Sequence, residues 1–509
     1  MLSKINFNDD EFRASGIFPL FVNSLVKNKL TFMNYWELRN VEVKSIRLTL
    51  RNKAGDFLDK TEYLDKFIGA VELVMEHEFE LKFRDLPVGF SGSVEFEVLY
   101  KDPPKLTVPA ISLVYSSDRG VSVVHASTRI ANKNEVFEDP FIGSHQTGFD
   151  VILDGVHQNY LIFFMGNEKH HELELTVQTD FKIESKKVAV MGNRGSLHVL
   201  KLETLFNNLI NLNGARPKVS IRTRSKDVFP RYFSMILHPD FSVPTLTHTF
   251  FDIKEALNSN PKLENHALQK HNEITLHPST FIVPVFNQKE FITSLETYDT
   301  IAPFFGKVIF RLRNLHGLIL DEVQLESYPD GGILQRKESI LIEQLFPGKL
   351  LEELNQFEMI LSNLNSVPVR QKVALNVVKK GAKIGTNICF APDVLVEKSQ
   401  ADRIKHHWFP IGGPDNFVGT IHNTNYVISS SSPRVFKIEI HRGDKKTLVF
   451  DYVLNPGGGI LISPHNNPEI LEFLGSQLGY AYISSTGFPF NSFFFSFKGG
   501  ELVAGDHAF

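Results

Sequence analysis

Histidines with carboxylates close by are the residues of this sequence whose types and spacing could bind a metal ion. His248 and Asp252 lie four residues apart, and Asp506 is followed directly by His507. Imidazole and carboxylate groups are common zinc ligands, but a site needs three or four of them to converge. The sequence contains no HExxH or other dense metal-binding motif. His248, Asp252, Asp506 and His507 are therefore weak metal candidates.

The same histidines also have a structural explanation. His125, His248 and His507 each follow a β-like segment, in VSVVHAS, PTLTHTFFD and VAGDHAF. A histidine repeated at this position is typical of a cap at the end of a module. If each histidine ends a separate module, the three do not naturally meet. The sequence favours this structural interpretation, and no cofactor is expected.

Motifs for covalent or phosphate chemistry are missing from the sequence. There is no GxSxG nucleophile motif, and the single cysteine, Cys389, lacks the local signature of a thiol enzyme. The glycine-rich stretch NPGGGILIS lacks the lysine of a phosphate-binding loop. No catalytic residue is assigned, and a non-enzymatic protein is expected over an enzyme.

The two tryptophans are candidates for ligand binding, because sugar rings stack on aromatic faces. Trp36 lies in NYWELRN, which we place at a strand edge, and Trp408 lies in HHWFPIGG. Packing in a core or between modules is favoured for both side chains. The proline and glycine around Trp408 predict a loop, which makes Trp408 the better binding candidate of the two.

Composition restricts the partners and the compartment. A net charge of −4 gives no reason to expect nucleic acid. No apolar run approaches the roughly 18 residues of a membrane span, and the first 16 residues lack the apolar core of a signal peptide. We therefore expect no membrane insertion, and a protein that is cytoplasmic or released by a non-classical route. Glycans or protein surfaces are the expected partners, and homo-oligomerisation is left open.

Alternating apolar and polar residues predict strands with one buried and one exposed face. Clear examples are 171–179, 307–315 and 435–442, and short helical signals lie at 61–69, 202–209, 342–346 and 468–474. The order strand pair, helical turn, strand, turn, strand recurs about four times. This pattern predicts an all-β fold of tandem antiparallel β-sandwich modules, immunoglobulin-like or jelly-roll, with short helical turns.

The repeat also predicts where the modules lie. We place them at residues 1–135, 136–252, 281–400 and 401–509, with a polar linker or excursion at 253–280. The expected function is non-enzymatic binding or assembly, with surfaces presented to glycan or protein partners. A virion or other shell protein built from jelly rolls is one alternative. A carbohydrate-active or metal-dependent enzyme with a site between modules is another, because a sandwich fold does not fix function.

Overall fold

The computed structural model shows a chain built almost entirely from strands. It describes residues 12–64, 67–100, 110–125, 129–131, 145–166, 169–179, 182–207, 217–223, 232–240, 242–251, 279–298, 307–326, 339–349, 353–362, 372–382, 384–390, 403–424, 432–487, 490–500 and 503–509. Strands account for 61% of the structure and helices for 8%, which confirms the predicted all-β class. Among these residues, no helix has the length and apolar character needed to cross a membrane.

The chain forms two compact units. Unit 1 comprises residues 1–117 and 123–251, and unit 2 comprises residues 118–122 and 252–509. Each unit contains two β-sandwiches, which we number 1 to 4 along the chain.

Unit 1 contains sandwiches 1 and 2. The elements of sandwich 1 are β1 Phe12–Val22, β2 Lys27–Met33, α1 Tyr35–Leu38, β3 Val43–Asn52, β4 Phe57–Tyr63, β5 Ala70–Val74, α2 Met75–Glu78, α3 Glu80–Phe83, β6 Gly89–Tyr100, β7 Ile111–Ser116, β8 Val121–His125 and β9 Arg129–Ala131. Those of sandwich 2 are β10 His145–Thr147, β11 Gln158–Phe164, β12 His170–Gln178, β13 Ile183–Met191, β14 Leu197–Lys201, α4 Leu202–Leu205, β15 Lys218–Thr223, β16 Phe233–Leu237, β17 Thr245–His248 and β18 Phe250–Phe251.

Unit 2 contains sandwiches 3 and 4. The elements of sandwich 3 are β19 Ser279–Val285, β20 Phe291–Tyr298, β21 Lys307–Arg313, β22 Ile319–Glu326, β23 Ser339–Leu341, α5 Ile342–Leu345, β24 Asn355–Ser362, β25 Lys372–Lys379 and β26 Thr386–Phe390. Those of sandwich 4 are β27 Ile404–Gly412, β28 Phe417–His422, β29 Arg434–Arg442, β30 Thr447–Leu454, β31 Gly459–Ile462, α6 Pro468–Leu474, β32 Leu478–Thr486, β33 Asn491–Ser496 and β34 Ala504–His507.

All four sandwiches connect their first eight strands in the same order. The fourth, third, sixth and first strands are neighbours, as in β4-β3-β6-β1 and β30-β29-β32-β27. The fifth, second, seventh and eighth strands are also neighbours, as in β5-β2-β7-β8 and β23-β20-β25-β26. In sandwiches 1 and 2 a ninth strand, β9 or β18, pairs with the first, and in sandwich 4 pairing of β27 with β28 joins the two groups into one sheet. This shared order supports a fourfold repeat. The predicted boundaries at 135/136 and 400/401, and residues 253–278 of the predicted linker, lie outside the described residues, so the boundaries stay a prediction.

Alternating side chains bury one face of each inner strand. In β12, Leu173, Leu175 and Val177 are buried and pack with Phe163 and Tyr232 in the core of sandwich 2. Burying each such apolar side chain contributes about 1.5–3 kcal/mol. The predicted strand 171–179 is therefore present, with the predicted face inward.

Short helices follow the fifth strand of each sandwich. The predicted helical turns at 202–209, 342–346 and 468–474 are present as α4, α5 and α6. The predicted helix at 61–69 is wrong in its first part, because Thr61 lies inside β4 and pairs with Leu48 of β3. A β-branched threonine with a strand partner on one side favours the sheet over an isolated helical turn.

Candidate functional site

A buried ion-pair network joins the two sandwiches of unit 1. Glu95 of β6 has a fully buried side chain and accepts hydrogen bonds from Arg194 at 2.6 and 3.0 Å and from Arg51 at 3.0 and 3.3 Å. Burial alone would raise the pKa of Glu95, but the charges of Arg194, Arg51 and Arg13 hold it well below its usual range. Because Arg194 belongs to sandwich 2 and Glu95 to sandwich 1, the network fixes one sandwich against the other.

A second buried carboxylate lies two residues further along β6. Glu97 bonds Arg13 at 2.5 Å, and burial together with the charge of Glu95 raises the pKa of Glu97. Two carboxyl groups with pKa values shifted in opposite directions resemble an acid–base pair. Here both side chains are buried and held by arginines, so we assign them a structural role.

The loops of the two sandwiches also meet through a glycine. Gly55 has φ +86, and a Cβ at this position would lie 2.7 Å from the Ser196 nitrogen and 2.8 Å from the Arg194 oxygen. Next to this contact, the Leu197 N–H donates to the Lys53 carbonyl at 2.9 Å. Only glycine fits both the backbone angle and the close approach. We call the contacts of Arg51, Glu95, Arg194 and Gly55 the unit 1 joint.

Unit 2 contains a similar joint, in which Arg313 and Gly317 lie 262 positions after Arg51 and Gly55, Glu358 lies 263 positions after Glu95, and Pro456 takes the place of Arg194. The sextets LRNKAG (50–55) and LRNLHG (312–317) carry its arginine and glycine. Arg313 donates to Glu358 at 2.6 Å and to the Gly317 carbonyl at 2.6 Å, and the Gly459 N–H donates to the Leu315 carbonyl at 2.9 Å. The chain thus repeats a two-sandwich unit, a relationship that the short shared sextet could have indicated from the sequence.

An open cleft lies beside the unit 1 joint. Its volume is about 780 Å³. It is lined by Lys53 and Ala54 from sandwich 1 and by Lys169, His170, Met191, Gly192, Asn193, Ser196, Leu197, His198, Val199 and Leu200 from sandwich 2. Ligand sites typically have volumes of about 300–1,000 Å³ and combine apolar walls with a few polar groups. The cleft meets both criteria.

The polar groups of the cleft are basic or neutral. Lys53, Lys169 and His170 are exposed at its rim. Further in, burial, the charge of His171 and the charge of Lys53 lower the pKa of His198 to about 4. His198 is therefore neutral at pH 7 and can serve as a hydrogen-bonding group. The described lining contains no aspartate or glutamate.

A serine–histidine contact in the cleft does not form a hydrolytic triad. The Ser196 hydroxyl lies 3.4 Å from Nε2 of His198, and Ser196 is buried. Nucleophile activation needs a closer base that a third group orients. Among the described residues, no side chain bonds Nδ1 of His198. The contact supports a polar lining rather than catalysis.

The prediction of ligand binding at Trp36 is wrong. Trp36 is only 1% exposed, lies in α1 rather than on a strand edge, and donates to the Tyr100 hydroxyl at 3.0 Å. Its ring packs edge-on against Phe32 in the core of sandwich 1. The adjacent cavity of about 30 Å³ has room for no more than a water molecule. A sugar ring cannot reach this indole.

Trp408 lies in β27, not in the loop that its proline and glycine neighbours predict. Its half-buried indole is directly opposite Tyr482 of β32, with ring centroids 6.1 Å apart and nearly parallel planes. His406 stacks on the same tyrosine ring, and Nδ1 of His406 and the Tyr482 hydroxyl are 2.8 Å apart. The three rings form an aromatic row on one face of this sheet, with Tyr482 buried between the half-buried His406 and Trp408.

The histidines that prompted the metal prediction end strands, as the structural interpretation predicts. β8 ends at His125, β17 at His248 and β34 at His507. The prediction that these histidines do not meet is wrong, as His125 and His248 show. His125 and His248 pack edge-on in unit 1 with centroids 4.3 Å apart, because the eighth strands of both sandwiches end at the same place.

The side chains of His248 and His507 make the same local contact. Nδ1 of His248 donates to the Thr249 carbonyl at 3.1 Å, and Nδ1 of His507 donates to the Ala508 carbonyl at 2.8 Å. Asp506 is buried and accepts a hydrogen bond from the His507 N–H at 2.8 Å. Asp252 lies outside the described residues. Metal binding at these positions stays a prediction, which metal analysis of the purified protein tests.

Comparisons with known proteins do not assign the chain to a family. No protein-family model and no curated protein match it. Among solved structures, a "tetra-tandem repeat in extending region of large adhesion protein" is similar over 92% of both chains, with 8% identity and a TM-score of 0.10. A TM-score this low carries no argument about function. The chain is therefore characterised by its own geometry, an all-β repeat of two-sandwich units.

Proposed function

We propose that the chain is a non-enzymatic binding protein and that the cleft of unit 1 binds a glycan. The observation that carries this proposal is a ligand-sized cleft with hydrogen-bonding side chains and no carboxylate in its described lining. Two sandwiches contribute to the cleft, and the unit 1 joint holds them in register. A preformed site loses little entropy on binding, which favours affinity.

The mixture of groups in the cleft suits a sugar. Asn193 and His198 offer amide and imidazole groups to sugar hydroxyls. Val199 and Leu200 are half-buried and provide an aliphatic surface for the C–H face of a sugar ring. The volume of about 780 Å³ is sufficient for a short oligosaccharide.

Enzymatic function is less well supported. Hydrolysis of a glycosidic bond ordinarily needs two carboxyl groups on opposite sides of the scissile bond. Glu95 and Glu97 have shifted pKa values, but both are buried in ion pairs and neither lines the cleft. A binding role needs no such pair.

Blocking the cleft tests this proposal. Ala54 is exposed in a turn at its rim, and His316 is the exposed residue at the equivalent turn of unit 2. We expect Ala54→Trp to abolish the signals that the wild-type protein gives on a glycan array, and His316→Trp to leave them unchanged. Equal signals from both variants would exclude the cleft as the binding site. Release of sugar from a bound oligosaccharide would instead support the enzyme alternative.

The aromatic row of sandwich 4 is a second candidate surface. Trp408, Tyr482 and His406 stack on one sheet face, an arrangement that can contact the face of a sugar ring. Trp408→Ala should then remove a subset of array signals while Trp408→Phe retains them. If both variants bind like the wild type, Trp408 has only a packing role. A shell or assembly function would instead produce large closed particles in light scattering.

A further inference from the structure

We propose that the ligand of the cleft is an acidic glycan, whose carboxylate or sulfate group binds between Lys53 and Lys169. This inference rests on the proposed function, because it names the chemistry of the ligand that the cleft binds. Both lysines are exposed and line the cleft from opposite sandwiches. An anion in the cleft is attracted by both cations.

The charges of these two lysines are not compensated by their described neighbours. Among the described residues, no carboxylate pairs with either ammonium group. No carboxylate lines the cleft in this part of the chain. Elsewhere in unit 1, Lys29 pairs with Glu72 at 3.2 Å and Lys187 pairs with Glu172 at 3.1 Å. The two cleft lysines therefore produce a positive potential that attracts an anion.

The repeat of the joint separates structural residues from candidate ligand-binding residues. Arg51, Glu95 and Gly55 have the counterparts Arg313, Glu358 and Gly317 in unit 2, so these three serve packing, whereas Pro456 takes the place of Arg194. At the positions 262 residues after Lys53, Ser196 and His198, unit 2 has Leu315, Gly458 and Ile460. The backbone hydrogen bonds at these positions are the same, with Leu197 N to Lys53 O and Gly459 N to Leu315 O both at 2.9 Å. The joint thus forms without the lysine, the hydroxyl and the imidazole.

Lys53 and His198 are consequently available for a ligand, whereas Ser196 is buried beside them. His198 is neutral at pH 7 because burial, followed by the charges of His171 and Lys53, lowers its pKa to about 4. It contributes hydrogen bonding to sugar hydroxyls but no charge. Recognition of the acidic group is left to the two lysines, since charge-assisted hydrogen bonds are the stronger kind.

Calorimetric titration with matched hexasaccharides tests the inference. The probes are a carboxylated oligogalacturonate, a sulfated carrageenan fragment and neutral maltohexaose. The double variant combines Lys53→Gln and Lys169→Gln. The control is Lys27→Gln, which removes an exposed lysine of unit 1 outside the cleft lining. We expect one acidic probe to bind, the double variant to weaken it about tenfold or more, and the control to change affinity less than about twofold. Binding should also weaken as salt is added.

The possible outcomes distinguish the two proposals. Preference for the oligogalacturonate identifies a carboxylate ligand, and preference for the carrageenan fragment identifies a sulfate ligand; both support the inference. Equal binding of neutral and acidic probes, with no effect of the double variant, overturns the acidic ligand and leaves glycan binding standing. If no oligosaccharide binds and Ala54→Trp changes no array signal, the proposed function itself is wrong. Binding of an acidic protein instead of any sugar also overturns the inference.

Discussion

Glu95 of sandwich 1 and Arg194 of sandwich 2 form a two-pronged ion pair at 2.6 and 3.0 Å, and the glutamate side chain is fully buried. Arg51 binds the same carboxylate. Because these groups lie beside the cleft, the stability of the joint and the shape of the binding site depend on the same contacts.

Removing the charge of Glu95 should destabilise unit 1. Glu95→Gln leaves Arg51 and Arg194 without their counter-charge in a buried place, and loss of one partner from a buried pair costs about 3–5 kcal/mol. The control Glu172→Gln breaks the exposed pair with Lys187 and should cost less than about 1 kcal/mol. Urea unfolding measures both. Losses of equal size would contradict a joint that depends on Glu95.

Comparing two glycines with similar φ angles distinguishes the cost of backbone strain from the cost of a close contact. Gly317 has φ +89, and a Cβ there would lie 2.5 Å from the Pro456 oxygen; Gly381 has φ +88 and open space around it. Gly381→Ala should cost about 1–2 kcal/mol for the backbone angle alone. Gly317→Ala should cost about 1–3 kcal/mol more, since the chain at Pro456 must move. Equal melting temperatures of the two variants would contradict this, because they would show that the chain at Pro456 can move away from residue 317 at no cost in stability.

Acid should destabilise unit 2 through buried histidines. Burial lowers the pKa of His422 to about 3, and burial with nearby positive charges, His507 first, lowers that of His407 to about 3; both have an ordinary value of 6.5. Between pH 6.5 and about 3 the unfolded chain takes up protons that the folded chain does not, so the free energy of unfolding falls as the pH falls. Above the ordinary value this contribution is fully present.

A single substitution isolates one of these histidines. Nδ1 of His422 bonds the Gln356 amide oxygen at 2.7 Å, a contact that the side-chain amide of His422→Gln can also make. We expect the urea midpoint of this variant to depend less steeply on pH between 6.5 and 4 than that of the wild type. An unchanged slope would show that His422 does not titrate differently on unfolding.

The predicted linker provides a test of the module boundaries. Residues 253–280 are polar and contain Asn260-Pro261, so the sequence predicts the first cleavage by a protease here. Mass spectrometry of early fragments should give cuts within this range before any in the strands. Early cuts inside β12 or β29 would contradict the boundaries.

The sequence was sufficient to predict the strands but not the joint. Alternation at Leu173, Leu175 and Val177 is a local signal, and these side chains are buried in β12. The joint depends on Arg51, Glu95 and Arg194, which are far apart in sequence and meet only when two sandwiches pack. The alternation of apolar and polar residues within one strand contains no information about contacts between two sandwiches.

The local sequence was also insufficient to predict which aromatic side chains are buried. Trp36 and Trp408 both lie in short aromatic stretches, yet one is in a core and the other is half-buried on one face of a sheet. The difference arises from α1, which turns Trp36 toward Phe32 and Tyr100. A one-turn helix gives too few residues for a 3.6-residue period to be recognised.

Oxidation of Met191 tests the central claim, ligand binding in the cleft, most directly. Met191 lines the cleft and is 68% exposed, whereas the other described methionines, Met33, Met75, Met165, Met235 and Met359, are at most 1% exposed. Dilute peroxide should therefore convert Met191 to the sulfoxide before the other described methionines, and mass spectrometry of its peptide gives the rate. With a saturating oligosaccharide selected on the array, we expect Met191 to be oxidised several-fold more slowly in the wild type and at an unchanged rate in Ala54→Trp. An unchanged rate in the wild type with bound ligand would contradict binding in this cleft.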